Sequence, residues 1–433
     1  MADHPGTHGE AVLERVRELP GGAELLELAA GRDDVELVGG AVRDLLLGRT
    51  PRELDVVVSD DAPALAGALA LSLGLPRESP PDGRSGTIVH ERFGTALLWW
   101  PQGRVDVACR RAESYSEPGA LPDVRPGTAE EDLRRRDFKV NAIAVSLGGR
   151  GRGTMRTVPH ALEDLAAARL RVLHEESFVD DPTRLLRLAR YLARLGFEPE
   201  EHTAALAAEA LAGGALQTVS GARIGTELRL ALTEPEPVAA VGRLRDLGVL
   251  CALHPRLHLD EGLTRASLAL LPEEGRADLL LLAALLLAMT EAPGEDPEPA
   301  IVGLLDRLQF PAGDRDRVLA TVLVGPALPA RMDAALTPSQ LRRAVRSAPL
   351  EAVALASALA EEQHLEGAAA GARRWLSELR HVRLQITGAD LLATGIPAGP
   401  EIGRRLELAL GRKLDGELSD GRDAEMSAAV EGP

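Results

Sequence analysis

ELVGGAVRDLLLG, from Glu36 to Gly48, with RTPRELDVVV from Arg49 to Val58 directly behind it, decides how the first part of this chain folds. Val35–Val38 predicts a strand, and Ala41–Leu47 predicts a short helix closed by Gly48. Leu54–Val58 predicts a second strand. Side chains two apart on a strand share a face, so Glu53 and Asp55 point one way while Leu54, Val56 and Val58 turn to the core. Two carboxylates held side by side repel unless a cation or a proton sits between them, and a divalent ion such as Mg²⁺ meets that need. Between strand and helix, Gly39 and Gly40 let backbone approach a phosphate, and the helix N-terminus offers N–H donors. Arg43 is placed to add a charge-assisted bond. A Gly-Gly pair alone reads equally well as an ordinary tight turn.

Outward from this stretch the pattern stays mixed for about 150 residues. Ala62–Leu73 predicts a helix, Pro76–Gly86 a loop of turn formers, and Arg104–Cys109 a strand on which Asp106 alternates with valines. From about Leu162 onward Leu and Ala recur at helical spacing, with breaks at Gly213–Leu216, Ala292–Pro299 and Val324–Ala330. The small, acidic end, DGELSDGRDAEMSAAVEGP, predicts a disordered tail. The expected fold class is α+β: a mixed head followed by an all-α body. Its divisions are a head at 1–150, a helical neck at 151–265, a body and tail at 266–415, and the disordered segment 416–433.

Composition sets bounds on function. Two cysteines, Cys109 and Cys251, are too few for a disulfide framework and point to a reducing compartment. The N-terminus shows no signal-peptide pattern, and the longest apolar run, Leu279–Met289, is too short to span a bilayer, so a cytoplasmic enzyme with no membrane partner is expected. A net charge of −17 speaks against nucleic acid on composition alone. Yet Asp132–Arg194 holds 13 Lys/Arg against 8 Asp/Glu, so a local basic face remains compatible with RNA.

Two strings lie in that segment. In EEDLRRRDFKVNAIAVSL, Glu130 to Leu147, three arginines precede an acid, which by itself describes a solvated helix start. In ESFVDDPTRLLRLARYLARLGF, Glu176 to Phe197, Asp181 and Pro182 form a good helix start. Arg184, Arg187 and Arg190 follow at three-residue steps, and Leu185, Leu188, Leu192 and Leu195 supply a buried stripe. Spacing alone leaves the arginines as readily a solvated face as a site.

Taken together, the Gly-Gly turn, the acid pair and the later strand acid resemble the DNA polymerase beta nucleotidyltransferase superfamily. GGAVRDLLLGRTPRELDVVV, RRDFKVNAIA and DDPTRLLRLAR more narrowly resemble class II CCA-adding enzymes and bacterial poly(A) polymerases. The resemblance implies a polymerase-beta-like head and template-independent addition of C, A or both, from CTP and ATP, to the 3′ end of tRNA. It implies that Glu53, Asp55 and Asp106 are catalytic, with Glu53 and Asp55 holding Mg²⁺. It assigns Gly39, Gly40, Arg43 and Arg136 to the nucleotide, and gives Asp137 and Asn141 a part in organising the site. Asp181 and Arg184 would substitute for a template base: a carboxylate accepts and a guanidinium donates, which matches the amino group and ring nitrogen of C or A. Arg187 and Arg190 would hold base or triphosphate. One residue departs from the pattern. The family carries Asp-x-Asp, whereas Glu53 stands first here, moving its carboxylate outward by about 1.5 Å, one C–C bond. The alternatives are a non-catalytic RNA-binding homologue, in which Glu53 marks lost metal binding, a poly(A) polymerase, or a nucleotidyltransferase acting on a small molecule.

Overall fold

The computed structural model describes residues 5–76, 83–90, 94–291, 294 and 296–432, so most of the expected Pro76–Gly86 loop and part of the Ala292–Pro299 break lie outside the described residues. The chain forms two compact units, Met1–Ser220 and Gly221–Pro433.

In the first unit the order is α1 (Pro5–Glu18), α2 (Gly22–Ala29), β1 (Glu36–Val38), α3 (Gly40–Leu46), β2 (Leu54–Val58), α4 (Ala62–Ser72), β3 (Gly86–His90), β4 (Thr95–Trp100) and β5 (Gly103–Cys109). A hairpin follows, β6 (Arg111–Ser114) and β7 (Asp123–Pro126), then α5 (Ala129–Arg134), β8 (Ile143–Ser146), β9 (Met155–Thr157), α6 (Ala161–Ala166), α7 (Ser177–Asp180) and α8 (Thr183–Leu195). Seven strands make one sheet in the order β3-β4-β5-β2-β1-β8-β9. Only β2 and β5 run parallel, and their register sets Asp55 beside Asp106. Leu54, Val56 and Val58 are buried as their alternation predicts, and Val57 is buried too, so both faces of β2 are covered there. Helix α3 packs on β1, β2 and β8, fixing the glycine turn at the end of the central strands. Glu53 falls one residue before β2, in a bend, rather than on the strand.

The second unit is helical. Within Ala277–Leu286 every residue from Leu279 to Leu286 is buried, so the apolar run is a core helix. No helix among the described residues is long and apolar enough to cross a membrane. The break expected at Val324–Ala330 is a kink: Ala312–Val324 passes through a short 3₁₀ turn into Leu328–Asp333. The disordered tail expected at 416–433 is corrected. Arg422–Glu431 is a helix whose Ala428 and Ala429 pack with Ile386, Leu391 and Ala409. Its buried Glu425 accepts from Lys413 Nζ at 2.6 Å and from the Gln385 amide at 2.6 Å. Small and acidic residues read as frayed in sequence, but here the small ones allow close helix packing and the buried acid is paired and hydrogen-bonded.

Candidate functional site

The carboxylates come first. Asp55 and Asp106 sit on adjacent parallel strands in direct register. Burial pushes the Asp55 carboxyl up to about 7, with the charge of Glu53 adding to it and Asp106 contributing further. Arg104, two residues before Asp106 on β5, lies across the group. Its Nε stands 3.1 Å from Glu53 Oε2 and donates to Asp106 Oδ1 at 2.9 Å, while Nη2 donates to Asp106 Oδ2 at 2.8 Å. A guanidinium therefore stands as the positive charge between these acids. Among the described residues no three Asp, Glu, His or Cys side chains already form a metal-ligand set. The donor chemistry nonetheless fits a divalent cation: hard oxygens, a shared excess of negative charge, and an acid that stays protonated up to about neutral pH without one.

The glycine turn lies against this group. Gly39 has φ 72° and ψ −136°, a conformation that only glycine adopts without strain. A Cβ there would meet Arg136 Nη1 at 2.5 Å and Asp55 Oδ2 at 3.8 Å, so the missing side chain lets Arg136 lie over the turn beside Asp55. Arg136 is anchored by Asp132 at 3.0 Å, and its buried Nε has no hydrogen-bond partner among the described residues. A buried donor without an acceptor is costly, and an anionic ligand would satisfy it.

Arg43 lies against the same turn, its Nη2 3.4 Å from where a Cβ on Gly40 would stand, with its side chain turned inward. It is 2% exposed, pairs with Asp44 at 2.7 Å and donates from Nη1 to Asn141 Oδ1 at 2.5 Å. Asn141 Nδ2 in turn donates to Asp137 Oδ1 at 2.8 Å, and Asp137 Oδ2 accepts from Arg187 Nε at 2.9 Å and Nη2 at 2.6 Å. Arg43–Asn141–Asp137–Arg187 is thus one unbroken chain of hydrogen bonds joining the glycine-turn helix, the RRDF segment and α8. Burial alone would raise the Asp137 carboxyl, but the Arg187 charge and the bonds it accepts hold it down to about 2.

On α8 the leucine stripe is buried as expected, and two of the three arginines are buried as well, Arg184 at 4% and Arg190 at 7% exposed, while Arg187 is half-buried against Asp137. Arg184 donates from Nη1 to Ser177 Oγ at 2.7 Å and from Nη2 to the Arg135 carbonyl at 3.0 Å. Asp181 accepts from the Thr183 amide at 3.0 Å and hydroxyl at 2.6 Å, so it braces the helix start although the helix begins at Thr183. Arg135 is itself held by Glu113 at 3.1 Å and Asp132 at 2.7 Å. Sequence reading passed over Arg104, Asp132, Glu113, Arg135 and Ser177. Only Arg104 carried a signal, its two-residue spacing from Asp106 along one strand.

Residues 35–171 match the family described as "Poly A polymerase head domain", and residues 196–260 match "Probable RNA and SrmB- binding site of polymerase A". An A-adding tRNA nucleotidyltransferase of Geobacter sulfurreducens is 34% identical over 97% of this chain, which spans only 48% of that relative's length. A CC-adding tRNA nucleotidyltransferase of Deinococcus radiodurans is 37% identical, covering 76% of this chain and 91% of the relative. Among solved structures, an apo CCA-adding enzyme superposes with a TM-score of 0.74 at 27% identity, covering 97% of this chain and 95% of the other.

Proposed function

The chain belongs to the class II tRNA nucleotidyltransferase family, and from that premise we propose that it adds C, A or both to the 3′ end of tRNA without a template. The observation that carries this reading is the bonded chain Arg43–Asn141–Asp137–Arg187, which ties three separate motifs together, while Arg136, the neighbour of Asp137 in sequence, lies over the Gly39 turn beside Asp55. An enzyme that must choose a nucleotide without a template needs such a fixed arrangement, since selectivity depends on donors and acceptors that do not yield.

In the proposed reaction an RNA 3′-hydroxyl attacks the α-phosphate of CTP or ATP in line, forming a phosphodiester and releasing pyrophosphate. Glu53, Asp55 and Asp106 would hold divalent cation, magnesium in our assignment, which would lower the hydroxyl's pKa and stabilise the leaving oxygens. Arg136 supplies an unmet buried donor to the nucleotide's phosphates, over a Gly39 turn that leaves room for it. Arg43, turned inward, acts through Asn141 and so positions the site from behind. Asp181 and Arg184 read the base edge as acceptor and donor. Thr183 holds Asp181, and Ser177 and the Arg135 carbonyl hold Arg184, so both side chains are fixed in position.

The test is incorporation of labelled CTP or ATP, each alone, into tRNA ending before the first C, before the second C and before A. Incorporation on at least one acceptor, dependent on divalent ion, is expected. No incorporation from either nucleotide would replace this reading with that of a non-catalytic RNA-binding homologue, and transfer that ignores RNA would replace it with a small-molecule enzyme.

A further inference from the structure

Aromatic residues make up 2% of this chain and there are two tyrosines, yet one of them stands where three arginines converge. The Cζ atoms of Arg43, Arg187 and Arg194 lie 5.3, 5.5 and 5.5 Å from the centroid of the Tyr191 ring. Phe138 meets that ring edge-on, with centroids 5.7 Å apart and planes at 86°. The Tyr191 hydroxyl accepts from Arg187 Nη2 at 3.1 Å. These partners come from α3, from the RRDF segment and from α8 itself.

Three guanidinium groups around one point repel one another. Asp44 offsets Arg43 and Asp137 offsets Arg187. The aromatic ring adds a negative face toward cations at no cost in carboxylate charge, and its rigid plane fixes where the cations stand. A leucine on the same helix would favour the helix at least as well, so helix propensity does not explain tyrosine here; the ring's contacts with Phe138 and the arginines do.

We infer that Tyr191 is a positioning residue for nucleotide selection: its ring holds Arg43 and Arg187 in place and thereby sets the α8 arginine row relative to the glycine turn. The inference rests on the function proposed above. Without the ring, Arg187 keeps Asp137 as a partner but loses its contacts with the ring face and the hydroxyl. Arg43 likewise loses the surface it rests on. The nucleotide would then meet a looser set of donors, weakening affinity and discrimination before any effect on the reacting carboxylates.

The test uses the full chain as wild type, Tyr191→Phe and Tyr191→Leu, with thermal melting as a control of folding. Tyr191→Phe should keep KM for CTP and ATP within about twofold of wild type, while Tyr191→Leu should raise it about tenfold and admit more UTP and GTP, with kcat for the preferred nucleotide less affected. Pentafluorophenylalanine at position 191 keeps the shape and reverses the ring's charge distribution, and it decides the matter if the leucine variant fails to fold. It should resemble leucine rather than phenylalanine. Equilibrium binding of ATP without RNA gives a second readout, in which leucine should also weaken affinity about tenfold. The inference is overturned if wild-type KM, selectivity and ATP affinity persist in the leucine or fluorinated protein. It is equally overturned if phenylalanine is as impaired as leucine. Should wild type bind ATP but transfer nothing, the proposed function fails, while the ATP affinities of the variants still decide the role of Tyr191.

Discussion

Asp55 spends its energy on being charged. It is crowded by burial and by Glu53 and Asp106, and its carboxyl is pushed up to about 7 from the ordinary aspartate value of 3.8. Arg104 relieves part of the cluster from the side of Glu53 and Asp106, which also gives the longer Glu53 side chain a partner that an aspartate would reach less easily. The sign of the consequence follows from proton counting. Between about pH 4 and pH 7 the folded protein keeps a proton on Asp55 that the unfolded chain has released, so stability falls as pH rises through that window and levels off above it. Asparagine at this position titrates nothing. Asp55→Asn should therefore melt higher than wild type in chelator, by little at pH 4.5 and by roughly 2–4 kcal/mol at pH 8. Added Mn²⁺ should narrow the gap by stabilising only the wild type. Melting curves at the two pH values, with and without the ion, check it; a difference that is flat with pH would show that Asp55 is not strained by its charge.

The glycine turn, β2 and α8 show what could be read at the level of elements and what could not. β2 was legible to the residue because Leu54–Val58 is a short run rich in β-branched residues between turn formers, and the α8 leucines were legible because their spacing matches a helical face. The arginines between those leucines were not, since charge at three-residue steps describes a solvated face as well as a buried one. What buries Arg184 is Ser177 and a carbonyl of the RRDF segment, and neither leaves a local trace. Arg43 and Tyr191 meet across a long stretch of chain for the same reason. The two glycines were read as equivalents, and the structure separates them. Gly39 has positive φ with Arg136 at its missing Cβ, whereas a Cβ on Gly40 would meet nothing closer than Arg43 Nη2 at 3.4 Å. Gly39→Ala should cost about 1–3 kcal/mol in stability and displace Arg136, weakening ATP binding. Gly40→Ala should be nearly neutral in stability. Equal losses in thermal melting and ATP titration would contradict the distinction.

Across the whole molecule, every candidate site residue and every partner named for it lies in Met1–Ser220. That unit also has its own buried core, running from Val12 and Val16 through the strands to Leu185 and Leu192. The acidic excess of the full chain, −17, therefore hid a head whose arginines are largely spent on internal carboxylates: Arg135 and Arg136 on Asp132, Arg171 on Asp164, Arg187 on Asp137. Counting Lys and Arg in Asp132–Arg194 overstated the positive surface offered to RNA, because paired guanidinium groups release few counterions from phosphate. The second unit spends its basic residues in the same way, Arg317 on Glu351 and Lys413 on Glu425. A division of labour follows. A fragment ending at Ser220 should fold and bind ATP with an affinity within about fivefold of the full chain, about 1 kcal/mol, since no site contact named above is cut. Its transfer to tRNA should fall much further if the second unit carries part of the RNA grip. Circular dichroism, ATP titration and the acceptor assay on the fragment test this together. A fragment that melts out, or that folds and loses ATP, would show that the site depends on residues beyond Ser220.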